Sequence, residues 1–393
     1  MAPGEVAARP RNRMWAAYLS GGFGLSISAM LGLLVPLRAD ELGIAVGAIG
    51  VIVAARSAAE AVLVVPMSAV IARLGTRTAF IVSTAGCAVA AAAFVLADGF
   101  WSLLLLNMAI GTARSLGWVA SQTYIASQGA PEDRARDTGR FTFVTNASQM
   151  VTPLLVGAAA ATVGYRAAFL VIAGYCLLLT LVGIALAPPR ARRSEERVRL
   201  RSAAALFRLP RIQMSMLLTF VRLWVPNIWT PLFPLLLVSG GASPQLAGAV
   251  ISSSAAVATL VNLLTGRLAR YASAEVLCTV ALAFGVVGLV VSPFLLSVPA
   301  AFAPAVLVGL ANGLSLPLLI VLVSEAAPKG QRALALATRN AVNNVSATLG
   351  PLGSGWLVAT LGATTAFPVV GGMAALMLGG VVILRRRARS TPV

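Results

Sequence analysis

Apolar residues run along this chain in long blocks separated by short polar breaks, and a block of about 20 is what a helix needs to cross the hydrocarbon core of a bilayer. Twelve such blocks follow one another, at 14–37, 46–70, 78–97, 100–127, 141–163 and 166–187, then at 212–238, 244–266, 274–296, 299–325, 338–361 and 366–384. Lipid offers the backbone no hydrogen-bond partner, so a spanning segment must satisfy itself as a helix or within a closed barrel. Blocks of this length predict helices. The expected fold is an all-α integral membrane protein of twelve transmembrane helices. The longest break, 188–211, carries eight arginines together with Glu195 and Glu196. It reads as a cytoplasmic linker between an N-terminal six-helix bundle, 1–187, and a C-terminal one, 212–393.

Charge placement orients the spans, because Arg and Lys collect in cytoplasmic loops. Of the 30 basic residues, 25 fall at the termini or in loops that follow even-numbered spans, whereas only Arg38 and Arg166 lie in the opposite loops. Both termini are therefore expected in the cytoplasm, with the chain crossing the plasma membrane many times. The formal charge of +18 then records orientation and calls for no nucleic-acid partner. Composition narrows the chemistry further. The chain has no histidine and a single lysine, Lys329, which excludes histidine triads, histidine-ligated metals and a Gly-Lys-Ser/Thr phosphate loop, and with it ATP hydrolysis. An intramembrane enzyme would need a pair of buried Asp or a His motif, and neither exists. Cys87, Cys176 and Cys278 lie far apart in apolar runs and read as small apolar residues. No cofactor or metal is called for.

The two halves are related in sequence. Residues 146–169 and 344–367 align without a gap at an offset of 198, with 10 of 24 positions identical, and the same offset pairs Pro36 with Pro234 and Gly50 with Gly248. Six spans per half keep the orientation of the repeat, giving two pseudo-symmetric bundles related by an axis along the membrane normal, the relation that also holds between the two halves of major facilitator superfamily transporters. Four local sequences carry a resemblance to that family over nearly the whole chain. Arg73, Gly75 and Arg77 match its G-x-x-x-D-R-x-G-x-R loop after span 2, with Ser68 and Ala72 in place of the Gly and Asp. Pro131-Glu132-Asp133-Arg134-Ala135-Arg136 is similar to its P-E-x-R-x-R stretch after span 4, and Gly164-Tyr165-Arg166 to its G-[WY]-R end. Ser148, Thr152, Pro153 and Gly157 form a weakened copy of the span 5 pattern that marks the family's proton-coupled exporters, and Gly350, Pro351, Gly353 and Gly355 form a better copy in span 11. These positions read as gating elements, or equally as plain packing by small residues.

A charge at midmembrane costs about 2.5 to 3.5 kcal/mol on insertion scales, so each one needs a partner or a water-filled cavity. Arg56 and Glu60 in span 2 stand four residues apart, within ion-pair reach on one helix face. Glu60 is the only acid deep in any span, so it either carries the transported proton or serves as a fixed strut for Arg56. In span 4, Asn107, Gly111, Arg114, Trp118 and Gln122 recur on one face. Span 7 offers Arg222, Trp224, Asn227 and Trp229, span 10 offers Asn312, and span 11 opens on Arg339, Asn340, Asn343 and Asn344. The resemblance implies that spans 1, 4, 7 and 10 line a central cavity. Asn107, Arg114, Trp118, Gln122, Arg222, Asn227, Trp229 and Asn312 are then its candidate substrate contacts. Three arginines against Glu60 leave +2 within the spans, a balance that attracts carboxylate or phosphate groups. The expectation is a monomeric secondary transporter whose partners are a small-molecule substrate, protons and membrane lipid. Export of small amphiphilic organic compounds, anions among them, against proton entry is the first reading. Uptake of an organic anion or sugar is its competitor, and a receptor or scaffold role the remaining alternative.

Overall fold

A computed structural model of the chain describes residues 14–127, 134–186, 207, 209–328 and 331–390. The N-terminal arginines, Pro131 to Asp133, Lys329 and nearly all of the 188–211 linker lie outside the described residues. Every extended element among the described residues is helical: α1 Met14–Leu19, α2 Phe23–Glu41, α3 Val46–Leu74, α4 Thr76–Ala93, α5 Phe100–Ser127, α6 Arg134–Ala185, α7 Pro210–Ser239, α8 Pro244–Leu268, α9 Ala274–Val291, α10 Phe302–Ala326, α11 Arg332–Leu361 and α12 Ala363–Ser390. The first expected span is α1 and α2 joined by a 3-10 turn at Ser20–Gly22, and α6 holds the fifth and sixth spans together.

Ten stretches among the described residues are long and apolar enough to cross a membrane. The difference from twelve has two physical causes. Arg140–Ala185 is one unbroken stretch of 46 residues, about 69 Å at 1.5 Å per residue and so enough for two crossings. It bends at Gly164, whose φ of 83° lies in the left-handed region open to glycine. The other cause is α11, which opens six residues before the apolar block and carries Arg332, Arg339, Asn340, Asn343 and Asn344 in its first half. Its polarity hides a span whose length is ample.

The repeat is visible in the turns. Gly43 and Gly241, at φ 73° and 92°, follow α2 and α7, while Gly164 and Gly362, at φ 83° and 74°, make the two bends before the last helix of each half. Both pairs stand 198 residues apart. Packing repeats in the same way. In the first half α2 and α4 rest on α6, and α3 and α4 on α5; in the second, α7 rests on α11 and α12, α9 on α12, and α8 and α9 on α10.

Between the halves, α3 packs on α11, α6 on α8, and α2 on α7. Lipid tails are as apolar as leucine, so helices in a membrane associate by close packing, and small residues allow the closest approach. A Cβ on Gly50 would stand 2.6 Å from the Pro351 carbonyl oxygen and 2.9 Å from Gly355 Cα. Its counterpart Gly248 meets the Pro153 oxygen at 2.5 Å and Gly157 Cα at 3.2 Å. The two crossings are therefore symmetry mates in which nothing larger than glycine fits.

Candidate functional site

One face of α3 presents Ile52, Arg56 and Glu60 at intervals of four, and the polar stripe of α5 closes on it residue by residue. Asn107 Nδ2 donates to the Ile52 carbonyl at 2.7 Å. Gly111 leaves the room that the Arg56 side chain and Glu60 Oε1 occupy. Arg114 then takes both carboxylate oxygens of Glu60, Nη2 to Oε2 at 2.5 Å and Nε to Oε1 at 3.2 Å, and its Nη1 donates to the Gly24 carbonyl of α2 at 3.2 Å. The Arg114 and Glu60 side chains are 10% and 13% exposed. A two-point charge-assisted pair in such surroundings is strong and directional. The i, i+4 pairing expected between Arg56 and Glu60 is thus corrected: the acid turns to the neighbouring helix, where a planar guanidinium meets both of its oxygens. Arg56 stays beside the pair, and the described residues give it no ion pair of its own.

Trp118 continues the stripe one turn further. Its indole lies over Gly24, where any Cβ would collide with the ring, and it stacks on Phe141 with centroids 6.1 Å apart. Gln122 is exposed at the end of the helix.

The second half is built differently. Arg222 on α7 is half-buried, and its Nε has no partner among the described residues. Arg339 on α11 leaves Nε and Nη1 unpartnered in the same sense, and Asn343 Oδ1, one turn on, is likewise buried and unbonded. The two helices pack on each other, and the like charges of Arg222 and Arg339 oppose one another across that contact. Ser346 Oγ, on the same face of α11, donates to the Phe220 carbonyl at 2.8 Å and holds that helix against α7.

Several expected cavity residues serve packing instead. Asn107 is 1% exposed and tied to α3. Trp229, also 1% exposed, stacks on Phe233 and donates to Ser292 Oγ at 2.9 Å. Trp224 donates to the Val370 carbonyl. Neither indole is a free surface. Asn227 donates to the Leu223 carbonyl at 2.7 Å and lies beside Gly350. Asn312 is half-buried on α10. Of the gating residues, Arg77 donates from Nη2 to the Ile184 carbonyl at 2.7 Å, Gly75 turns α3 into α4 at φ 78°, and Arg73 is exposed. Pro153, Gly157 and Pro351 sit in the inter-half crossings.

Sequence patterns pass over one buried acid. Asp137, 8% exposed near the start of α6, accepts from the Tyr18 hydroxyl at 2.6 Å, and the Arg140 guanidinium lies 5.4 Å from the Tyr18 ring centre. This group ties α1 to α6 across more than a hundred residues of sequence, a separation that no local spacing reveals. An open apolar hollow of about 800 Å³ on α12, lined by Val369, Met373, Leu376 and Ile383 among others, is made by residues of that helix alone and holds none of these charges.

The Major Facilitator Superfamily model matches the chain at residues 14–302 and 215–393, two overlapping matches that together reach from α1 to the C-terminus. Solved structures agree in fold. A point mutant of the nucleoside transporter NupG superimposes with a TM-score of 0.83 at 14% identity, covering 95% of this chain and 100% of its own. A D-xylose-proton symporter gives 0.71 at 17%, covering 94% and 96%. The human organic anion transporter MFSD10 gives 0.64 at 18%, covering 95% and 100%. No curated protein matches the sequence.

Proposed function

The chain belongs to the major facilitator superfamily and is a multi-pass membrane transporter rather than an enzyme, and from that premise we propose that it couples movement of small amphiphilic organic compounds, anions among them, to protons through Glu60. The observation that carries the proposal is the two-point Glu60–Arg114 pair. A proton added to Glu60 removes the charge that holds both forks of the guanidinium. Arg114 and Arg56 are then left uncompensated, and the local charge rises by one. Proton binding and the electrostatics of the substrate path are thereby linked through a single side chain.

Direction follows from the sign of that linkage. Export against proton entry rests on the span 5 resemblance around Pro153 and Gly157. Those residues have a sufficient structural reason in the glycine crossing with Gly248, and the crossing recurs at Pro351 and Gly355 in span 11. For an anion, the Glu60–Arg114 geometry favours the competing reading. A protonated Glu60 makes the path more positive, so proton and anion bind together and travel the same way. Neutral or cationic amphiphiles gain nothing from that rise and suit exchange. Substrate chemistry therefore decides direction, and fold likeness to nucleoside, sugar and anion carriers leaves it open.

Reconstitution into liposomes with a pH gradient of each sign tests both points, using a labelled panel of organic anions, neutral compounds and cations. The expected result is gradient-driven accumulation of anions in vesicles with an acidic exterior, collapsed by a protonophore. Accumulation only when the interior is acidic establishes exchange instead, and indifference to either gradient removes proton coupling. The same vesicles, in which outward- and inward-facing proteins are separated by protease access to terminal tags, check that both termini share the arginine-rich face. The proposed site of action is the plasma membrane with both termini cytoplasmic.

A further inference from the structure

We infer that Arg222 and Arg339, with Asn343 beside them, form the anion-holding site of this transporter, and that it takes a carboxylate, phosphate or sulfate group. The inference rests on the reading of the chain as a carrier of organic anions and assigns that role to a pair of helices, α7 and α11, on which the sequence marks only Arg222 as a charged cavity candidate. Two observations support it, one direct and one from symmetry.

The direct observation is the unmet hydrogen-bonding capacity. Arg222 Nε, Arg339 Nε and Arg339 Nη1 are buried donors without partners among the described residues, and Asn343 Oδ1 is a buried acceptor in the same condition. Leaving one charged donor buried and unpaired is costly, and a second like charge on the helix packed against it adds to that cost. No described acid forms an ion pair with either guanidinium. An oxyanion supplies what both lack, since two forks can grip one tetrahedral or planar anion from two directions. The Asn343 acceptor then reads a hydroxyl or amide proton on the rest of the molecule.

The second observation comes from the repeat. Subtracting 198 places Arg222 on Gly24, Leu316 on Trp118 and Arg339 on Phe141. In the first half Trp118 bridges the other two, its indole over Gly24 and stacked on Phe141. The matching position in the second half has leucine where the indole stands and a guanidinium on each flank. Where one half places an aromatic plug, the other thus places two guanidinium groups at the matching positions. Arg114, by contrast, is already satisfied three times, by Glu60 twice and by Gly24 once. It is the wrong arginine to hold a substrate in this conformation.

Thermal unfolding of the full chain in lipid nanodiscs, followed by tryptophan fluorescence with inorganic phosphate against chloride at matched ionic strength, tests the site without any proton gradient. A ligand that binds only the folded state raises the midpoint by mass action, about 2 °C or more at tenfold excess over its dissociation constant. The expected result is a saturable rise with phosphate in the unaltered protein, lost in Arg222→Gln and in Arg339→Gln. Arg222→Lys and Arg339→Lys, which keep the charge without the fork, should each retain a smaller rise, and the exposed Arg166→Gln should retain all of it. An equal rise in every variant, or none in the unaltered protein, overturns the inference. Should a glutamine variant fail to fold, the two lysine variants carry the comparison, and full rises in both also overturn it. Because proton coupling is never engaged, failure here leaves the role of Glu60 standing, and failure of that role leaves this site standing.

Discussion

The helix pairs α3–α5 and α8–α10 occupy matching places in the two halves and are held together by opposite means. In the first pair the contact is electrostatic: Asn107 meets the Ile52 carbonyl, Gly111 admits Arg56, and Arg114 grips Glu60. In the second the same positions are Ala305, Val250, Gly309, Ser254, Asn312 and Ala258. Backbone lies on backbone there. A Cβ on Gly309 would stand 2.5 Å from the Ser254 carbonyl oxygen, and one on Gly313 would run into the Ala258 backbone. The second half keeps its charge elsewhere, between α7 and α11, where the first half is aromatic. One fold, repeated, thus separates two tasks. The first half pairs a buried acid, Glu60, with Arg114, and the second holds Arg222 and Arg339 without an ion-pair partner among the described residues.

The largest break of this comparison removes the acid. Glu60→Ala leaves Arg114 and Arg56 buried without a counter-charge and should cost ~3–5 kcal/mol of stability, read as the denaturant midpoint in mild detergent. The double variant Glu60→Gln with Arg114→Gln removes both charges and should recover most of that loss while still failing to respond to a pH gradient. A smaller effect comes from making the second half resemble the first. Ala258→Glu places a carboxylate at the position matching Glu60 and offers Arg222 a counter-ion; anion affinity should fall by about tenfold, 1.4 kcal/mol, with neutral solutes unaffected. Unchanged anion affinity would mean that Arg222 does not see the α8–α10 seam. Smallest is Trp118→Phe, which trims the plug over Gly24 and should cost about 1 kcal/mol of stability without altering the response to pH.

The spans are legible because the length of an apolar block is a one-dimensional signal, and the repeat because it leaves paired residues at a constant offset. Only α11 escapes in part. Arg339 reads in sequence as polarity at the start of a span, since the apolar block opens at 338 while the helix opens at Arg332. The partner of Glu60 is not legible. Spacing along one helix nominates Arg56 four residues away, whereas the winning contact crosses to α5, where the guanidinium can present a fork. The tryptophans mislead for a related reason. Trp224 and Trp229 each lie two residues from a polar side chain, Arg222 and Asn227, yet their indole N–H groups are spent on Val370 and Ser292 inside the bundle. Which face of α7 looks inward depends on its neighbours α11 and α12, and those contacts are not written in its own spacing.

Glu60→Gln in proteoliposomes is the most direct measurement, with exchange of labelled solute across a membrane without a gradient compared against accumulation driven by an imposed pH gradient. The solute is the one that the charge panel identifies. Loss of accumulation with exchange kept near the unaltered rate is the predicted result, because the amide keeps the shape and one of the two acceptors that Arg114 uses but cannot carry a proton. Undiminished gradient-driven accumulation in that variant would show that the Glu60–Arg114 pair is only a strut and that the proton crosses elsewhere.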